Sequence, residues 1–226
     1  MNLCALLLVI AWSIVGWQNT AEGEQTSLAP NQTTKQRVLD MMSELAPRIS
    51  GTRREPIVSK PGGDVATRVE KRLIDFANDS LEMRALVIGT LVDWLEDPSH
   101  QDGFYYSAVW SAACGVLGKL KAEAAIEVMA NHIEMQNGPM TLSLSGFPAV
   151  QGLIQIGPSA VPKLETTLLS IGSRDTCRGL AAFVLGAIGG ERAEEALKRA
   201  LEQEKDSEIV KAIEASLDVI KRKPRE

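Results

Sequence analysis

Two stretches of the chain repeat one two-helix pattern, and this repetition limits the available folds more than any other feature. In each copy an Ala is followed by Leu four residues later, by Ile three residues after that, and then by Gly. The copies are Ala149, Leu153, Ile156, Gly157 and Ala181, Leu185, Ile188, Gly189. Apolar residues at this spacing predict a helix, and Gly predicts its end. The residues after each Gly predict a second helix, so the repeated unit is a helical pair.

The apolar pair that ends the first helix of each unit recurs at a regular step. Its last residues are Leu120, Ile156, Ile188 and Ile220, which are separated by 36, 32 and 32 positions. A period in the thirties on helical pairs is typical of an α-solenoid, in which each unit buries its apolar stripe against the next. We therefore predict an all-α fold, a right-handed α-solenoid of about four helix-pair units over residues 64–226, with a capping C-terminal helix. Residues 64–97 are expected to form a degenerate first unit.

Charge and composition exclude some classes of function. The chain is 45% hydrophobic and 23% charged, which is the balance of a folded protein and not of a disordered one. The formal net charge is -5, and Lys and Arg do not cluster except at the C-terminal end. Binding to phosphate backbones requires clustered basic residues, so we expect no nucleic-acid partner.

The last repeats resemble a known family. Residues 156–164 read IGPSAVPKL, and residues 185–189 read LGAIG, followed by Ala193 and Leu197. These segments resemble the short HEAT repeats common in bacteria, including those of phycobilisome lyase-like proteins. The resemblance implies a curved stack whose extended surface binds another protein. The chain departs from the pattern at Leu120 and Lys121, where the Gly is absent.

The N-terminal residues are expected to direct export. Leu3 to Trp17 is a mostly apolar run without charge, and Ala21-Glu22-Gly23 places small residues where a signal peptidase reads them. We predict a signal peptide over residues 1–23 and a periplasmic or secreted protein, with an uncleaved membrane anchor as the alternative. Residues 24–63 are predicted to be a polar tether with one short helix, followed by a loop from residue 48 to residue 63.

Candidate chemistry is sparse. His100 and His132 are the only histidines, and no HExxH, HxxxH or CxxC motif occurs, so no catalytic residue, metal site or cofactor is predicted. Cys114 and Cys177 fall in units that are not adjacent. Because packed helices are about 8–10 Å apart, a disulfide between them would not be expected to close, and we predict two free thiols.

Aromatic residues concentrate at one place in the chain, and acidic residues flank them. The cluster consists of Trp94, Phe104, Tyr105, Tyr106 and Trp110. Aromatic side chains surrounded by carboxylates can form a binding hot spot for a basic or extended partner. Alternatively, the same rings fill the junction between the degenerate first unit and the regular stack.

Three functions remain open at this point. The leading interpretation is an exported, non-catalytic scaffold that binds a protein partner through its repeat surface, with no membrane contact once the signal is removed. A second is an enzyme or enzyme-accessory protein of the phycobilisome lyase-like kind, which would attach or detach a chromophore. A third is an assembly or sensor protein that residues 3–17 hold at the membrane.

Overall fold

The computed structural model describes residues 30–45, 48–50, 57–59, 63–100, 106–136, 146–170 and 172–222. The predicted signal peptide, residues 1–23, lies outside these ranges. Ten α-helices occur in the described part: α1 Pro30–Ser43, α2 Gly63–Asn78, α3 Leu81–Glu96, α4 Ser107–Lys119, α5 Ile126–Asn131, α6 Pro148–Ile156, α7 Val161–Leu169, α8 Asp175–Ile188, α9 Gly190–Gln203 and α10 Ser207–Arg222. Short 3-10 turns, Pro98–His100, Glu123–Ala125 and Pro158–Ala160, connect or begin some of them.

The helices form two layers of a solenoid. The first helices of successive units, α2, α4, α6, α8 and α10, pack side by side and form layer A. The second helices, α3, α5, α7 and α9, pack in the same order and form layer B. The predicted α-solenoid of four helical pairs with a terminal helix is therefore confirmed.

The repeated residues occupy equivalent places in the core. Leu117, Leu153 and Leu185 are fully buried in α4, α6 and α8, and Leu217 is 7% exposed in α10. These four helices each supply one Leu at the same position of the repeat, so a continuous apolar core runs through this part of the stack. Full burial of one such side chain contributes about 1.5–3 kcal/mol.

The N-terminal part differs from its prediction in one respect. Two short strands, β1 Arg48–Ser50 and β2 Ile57–Ser59, form an antiparallel hairpin in which Ile49 pairs with Val58. The interpretation of residues 48–63 as a loop is therefore wrong for these six positions. Three residues per strand are too few for alternation of apolar and polar residues to be visible in the sequence.

Helix α1 contributes to the same core. Val38 of α1 and Leu45 of the turn that follows it are fully buried, and Met42 of α1 is 3% exposed. Residues 34–226 form one compact unit, which includes this helix from Thr34 onward. The side chains of α1 therefore cover apolar surface at the N-terminal end of the solenoid.

Three of the layer A helices, α4, α6 and α8, end in backbone conformations that usually need glycine. Gly157 and Gly189 have φ values of 87° and 73°. At the equivalent position after α4, Lys121 adopts a φ of 52°. The amides of Lys121 and Ala122 donate to the carbonyls of Gly118 and Leu117, which is the Schellman arrangement of a helix end. The missing Gly of the sequence pattern is thus a lysine held in a left-handed conformation.

Glycines also permit close contact between layer A helices. A Cβ atom on Gly118 of α4 would lie 3.0 Å from the Cα of Gly152 in α6. A Cβ atom on Gly186 of α8 would lie 3.0 Å from the Cα of Ser216 in α10, and 3.1 Å from its carbonyl oxygen. Because these neighbours are backbone atoms, an added side chain would push the helices apart.

Carboxylates of one unit pair with basic groups of the next along the stack. The ion pairs join Glu70 to Lys119, Glu127 to Lys163, Glu134 to Arg174, and Glu165 to Arg199. In all four pairs the acid precedes the base in the chain. The hydrogen bond that Lys163 donates lowers the pKa of Glu127, and the hydrogen bonds that Arg199 donates to Glu165 raise the pKa of Arg199. Because at least one partner of each pair is exposed, solvent screens these pairs and each adds little to stability.

We predict that Gly186→Ala destabilises the protein by about 1–3 kcal/mol, because its Cβ would meet the backbone of α10. The matched control is Gly179→Ala in the same helix, where an added Cβ meets no atom within 4 Å. That control is expected to gain about 0.5–1 kcal/mol from higher helix propensity. Urea denaturation measures both, and equal effects of the two substitutions would contradict the close packing of α8 and α10.

Candidate functional site

The predicted aromatic cluster lies where α3 leads into α4. The rings of Trp94 and His100 are stacked, with centroids 4.1 Å apart and an angle of 8° between their planes. Tyr106 meets both rings edge-on, at centroid distances of 5.6 Å from Trp94 and 5.3 Å from His100. All three side chains are half-buried. They form one contiguous group that presents ring edges at the surface.

The turn after α3 fixes the position of His100. The Asp97 carboxylate accepts hydrogen bonds from the Ser99 hydroxyl at 2.7 Å and the Ser99 amide at 2.8 Å. These bonds lower the pKa of Asp97, so the carboxylate stays charged. His100 Nδ1 lies 3.0 Å from the carbonyl oxygen of Trp94, which can only accept, so Nδ1 donates. The stacking of His100 on Trp94 is therefore held by the backbone of the turn.

Trp110 lies beneath this group and is fully buried. Its Nε1–H donates to the carbonyl oxygen of His100 at 2.9 Å, and its ring lies 5.5 Å from that of His132. Burial lowers the pKa of His132, which favours the neutral imidazole. Trp110 thus supports the junction of α3 and α4 from inside, whereas Trp94 and Tyr106 reach the surface. Phe104 and Tyr105, also predicted for this cluster, lie outside the described residues.

Acidic residues flank the cluster in the chain, and one of them lies near it: Asp97 Oδ2 is 3.8 Å from His100 Nδ1. Asp93 forms an ion pair with Lys35 of α1 at 2.7 Å. Glu96 is exposed at the last turn of α3 and makes no ion pair with any residue in the described ranges. Together with Asp97 it gives this edge a negative charge. The arrangement could hold a basic group against the ring edges.

The two predicted free thiols lie in different units, Cys114 in the same helix as Trp110 and Cys177 in α8. Cys114 in α4 is fully buried, and Cys177 in α8 is half-buried. Burial raises the pKa of the Cys114 thiol well above its usual range. Burial, with a smaller contribution from the nearby Glu134, raises the pKa of Cys177 to about 11. Neither environment produces a reactive thiolate.

We expect iodoacetamide to modify Cys114 and Cys177 slowly in the folded protein. Because the pKa of Cys177 is raised to about 11, its thiolate fraction at pH 8 is about a hundredth or less of that of an ordinary Cys. Its alkylation rate should rise roughly tenfold per pH unit until the pH reaches that value. Peptide mass spectrometry reads each site separately. Alkylation at the rate of a free Cys, or a disulfide in the denatured unreduced protein, would contradict this prediction.

One buried ion pair was not anticipated from the sequence. The Arg178 guanidinium donates to a Glu204 carboxylate oxygen, and its Nε donates to the carbonyl of Leu168 at 3.0 Å. Both side chains are only 9% exposed. The other Glu204 oxygen accepts from the amides of Lys205 and Asp206. The ion pair holds the turn between α9 and α10 in place. In the sequence, nothing distinguishes Arg178 and Glu204 from charged residues at the surface.

A second unanticipated feature is a cleft between α1 and α2. It has a volume of about 480 Å³ and is lined by Arg37, Asp40, Met41, Glu44, Arg72, Asp75, Phe76 and Asp79. Four lining residues come from α1 and the turn that follows it, and four from α2 and its end. The lining residues have the same spacing in the two segments, and this repeated spacing in the sequence could have predicted the cleft.

Two further features, a metal site and a membrane-spanning helix, do not occur among the described residues. No group of three or more His, Cys, Asp or Glu side chains within the described ranges is placed to hold a metal ion. Among the helices that the structure describes, none combines the length and the apolar character that crossing a membrane requires.

Comparisons with known proteins bear on the C-terminal units. Residues 178–203, which cover most of α8 and all of α9, match the PBS lyase HEAT-like repeat. A 65-residue segment is 37% identical to part of an epoxyqueuosine reductase from Bacillus cereus. That segment is 29% of this chain, and the match spans only 17% of the length of that relative.

Proposed function

We propose, on the premise that this chain is a HEAT-like repeat protein, that it is an exported, non-catalytic scaffold that binds a protein partner through its repeat surface. The observation that carries the proposal is the exposed edge formed by Trp94, His100 and Tyr106 beside Glu96 and Asp97. Rigid aromatic groups bind with little loss of side-chain entropy, and hot spots are enriched in Trp and Tyr.

The charge of this edge selects the chemistry of the partner. The Glu96 and Asp97 carboxylates favour a segment that contains Lys or Arg and disfavour an acidic one. A basic side chain could lie against the exposed ring edges while it pairs with Glu96. Trp110 and the turn at Pro98–His100 hold these groups in place before binding. The proposed partner is therefore a protein with a basic, extended segment.

The similarity to part of an epoxyqueuosine reductase does not carry the activity of that protein to this chain, because the match covers only 17% of its length. Repeat units of this kind present extended surfaces to other macromolecules. No observation on the described residues favours the enzyme alternative over the scaffold.

The expected outcome for binding is that Glu96→Lys weakens capture of the partner about tenfold, a change of about 1.4 kcal/mol. The partner would be identified by cross-linking in the native exported fraction, and its affinity then measured with purified proteins. Stability should not fall, because Lys is favourable at a helix C-terminus. Glu202→Lys on the exposed surface of α9 is the matched charge control and should bind normally. Equal affinities of Glu96→Lys and Glu202→Lys would exclude the aromatic edge as the binding surface. Failure to capture any partner would refute the scaffold proposal.

Export makes a separate prediction about the N-terminus. If the signal peptide is cleaved after Gly23, the mature protein begins at Glu24 and its intact mass lacks residues 1–23. Mass spectrometry of the protein from its native cells measures this directly. Recovery of the full-length chain in the membrane fraction would instead support the anchored alternative.

A further inference from the structure

An eight-residue pattern occurs once in α1 and its following turn and once in α2 and its end. Residues 37–44 read RVLDMMSE, and residues 72–79 read RLIDFAND. Each has Arg at its first position, Asp three residues later, a large apolar residue after that, and an acid at the last position. The step between the copies is 72 minus 37, or 35 positions, which is close to the period of the solenoid units.

The two copies face each other across the cleft and run in opposite directions. At one end, Arg72 Nη1 of the second copy lies 2.6 Å from Glu44 Oε1 of the first. At the other end, the Arg37 guanidinium carbon lies 5.0 Å from the centroid of the Phe76 ring. Higher numbers in one copy therefore meet lower numbers in the other. The copies are related by an approximate two-fold axis through the cleft.

The two ends of the cleft differ in how their charges are matched. An exact two-fold would pair Arg37 with Asp79, as Arg72 pairs with Glu44. Instead, neither Arg37 nor Asp79 makes an ion pair within 4.0 Å with any residue of the described ranges. Of the other lining carboxylates, Asp75 pairs with Lys71 at 2.5 Å, and Asp40 accepts a hydrogen bond from the Gln36 amide at 2.9 Å and keeps its charge. The ion pair of Arg72 with Glu44 neutralises one end of the cleft, whereas Arg37 and Asp79 have no such pair within the described ranges.

Apolar groups complete the lining of the cleft. Met41 is 8% exposed and Phe76 is half-buried, and both belong to the lining. A volume of about 480 Å³ falls within the range of about 300–1,000 Å³ that is usual for small-molecule sites. An apolar surface between one positive and one negative group matches a small molecule that carries both charges and an apolar side chain.

We propose that this cleft binds a small zwitterion, namely an α-amino acid with an apolar side chain. Arg37 receives the carboxylate, because the guanidinium fork forms paired hydrogen bonds with it. Asp79 receives the ammonium group. The side chain lies against Met41 and Phe76, which removes apolar surface from water. The site is separate from the proposed protein-binding edge, so either proposal can fail alone.

Isothermal titration of the full chain with L-phenylalanine and L-leucine tests the proposal. We expect saturable binding with a dissociation constant on the order of 1 mM, typical of a ligand with so few atoms. Arg37→Met and Asp79→Asn should each weaken binding about tenfold or more. Arg192→Met is the matched control, because Arg192 is an exposed residue of α9 and is absent from the cleft lining. It should bind normally.

Ligand analogues test whether the cleft binds a free amino acid or the C-terminus of a polypeptide. Phenethylamine carries only the cation, and N-acetyl-L-phenylalanine carries only the carboxylate of a polypeptide C-terminus. Both should bind about tenfold or more weakly than L-phenylalanine if two-point recognition operates. Tight binding of N-acetyl-L-phenylalanine would indicate that the cleft binds a polypeptide C-terminus and not a free amino acid. This result would overturn the proposal. Absence of saturable binding by either amino acid, or equal affinities of Arg37→Met and Arg192→Met, would also overturn it.

Discussion

The solenoid depends on the close approach of layer A helices at positions without a side chain. Gly118 faces Gly152, and Gly186 faces Ser216, at distances that leave no room for a Cβ atom. These contacts set the spacing at which the buried Leu of each unit meets its neighbours. Ion pairs join neighbouring helices in both layers, Glu70 to Lys119 in layer A and Glu165 to Arg199 in layer B. The spacing of the layer A helices therefore also sets the spacing of charges on the surface.

Much of the fold followed from the period of a few apolar residues. Leu117, Leu153, Leu185 and Leu217 predicted the number of units and their stacking, because only one register buries them all. The hairpin at Arg48–Ser50 and Ile57–Ser59 did not follow, since short strands leave no periodic signal. The pairing of Arg178 with Glu204 did not follow either, because it joins residues that only the tertiary structure brings together.

The candidate site was predicted only in part. The sequence located the aromatic residues, but composition cannot separate rings that support a junction from rings that face solvent. Trp110 turned out to be fully buried, whereas Trp94 and Tyr106 are half-buried. His100, which stacks on Trp94, was considered only as a metal ligand, although its role comes from the turn that positions it. Whether a ring is buried or faces solvent depends on helix direction and turn geometry. Neither can be read from the spacing of the aromatic residues.

The order of acid and base between units has a consequence for how the chain could be rearranged. Glu127 meets Lys163 and Glu165 meets Arg199, so each unit is complementary to the one that follows it. Reordering whole units in the same orientation would keep acid against base, whereas a unit packed in the opposite orientation would place like charges in contact, although the apolar core could remain intact. The charges would thus fix the direction in which units stack, while the shared Leu positions would permit exchange of units between neighbouring molecules.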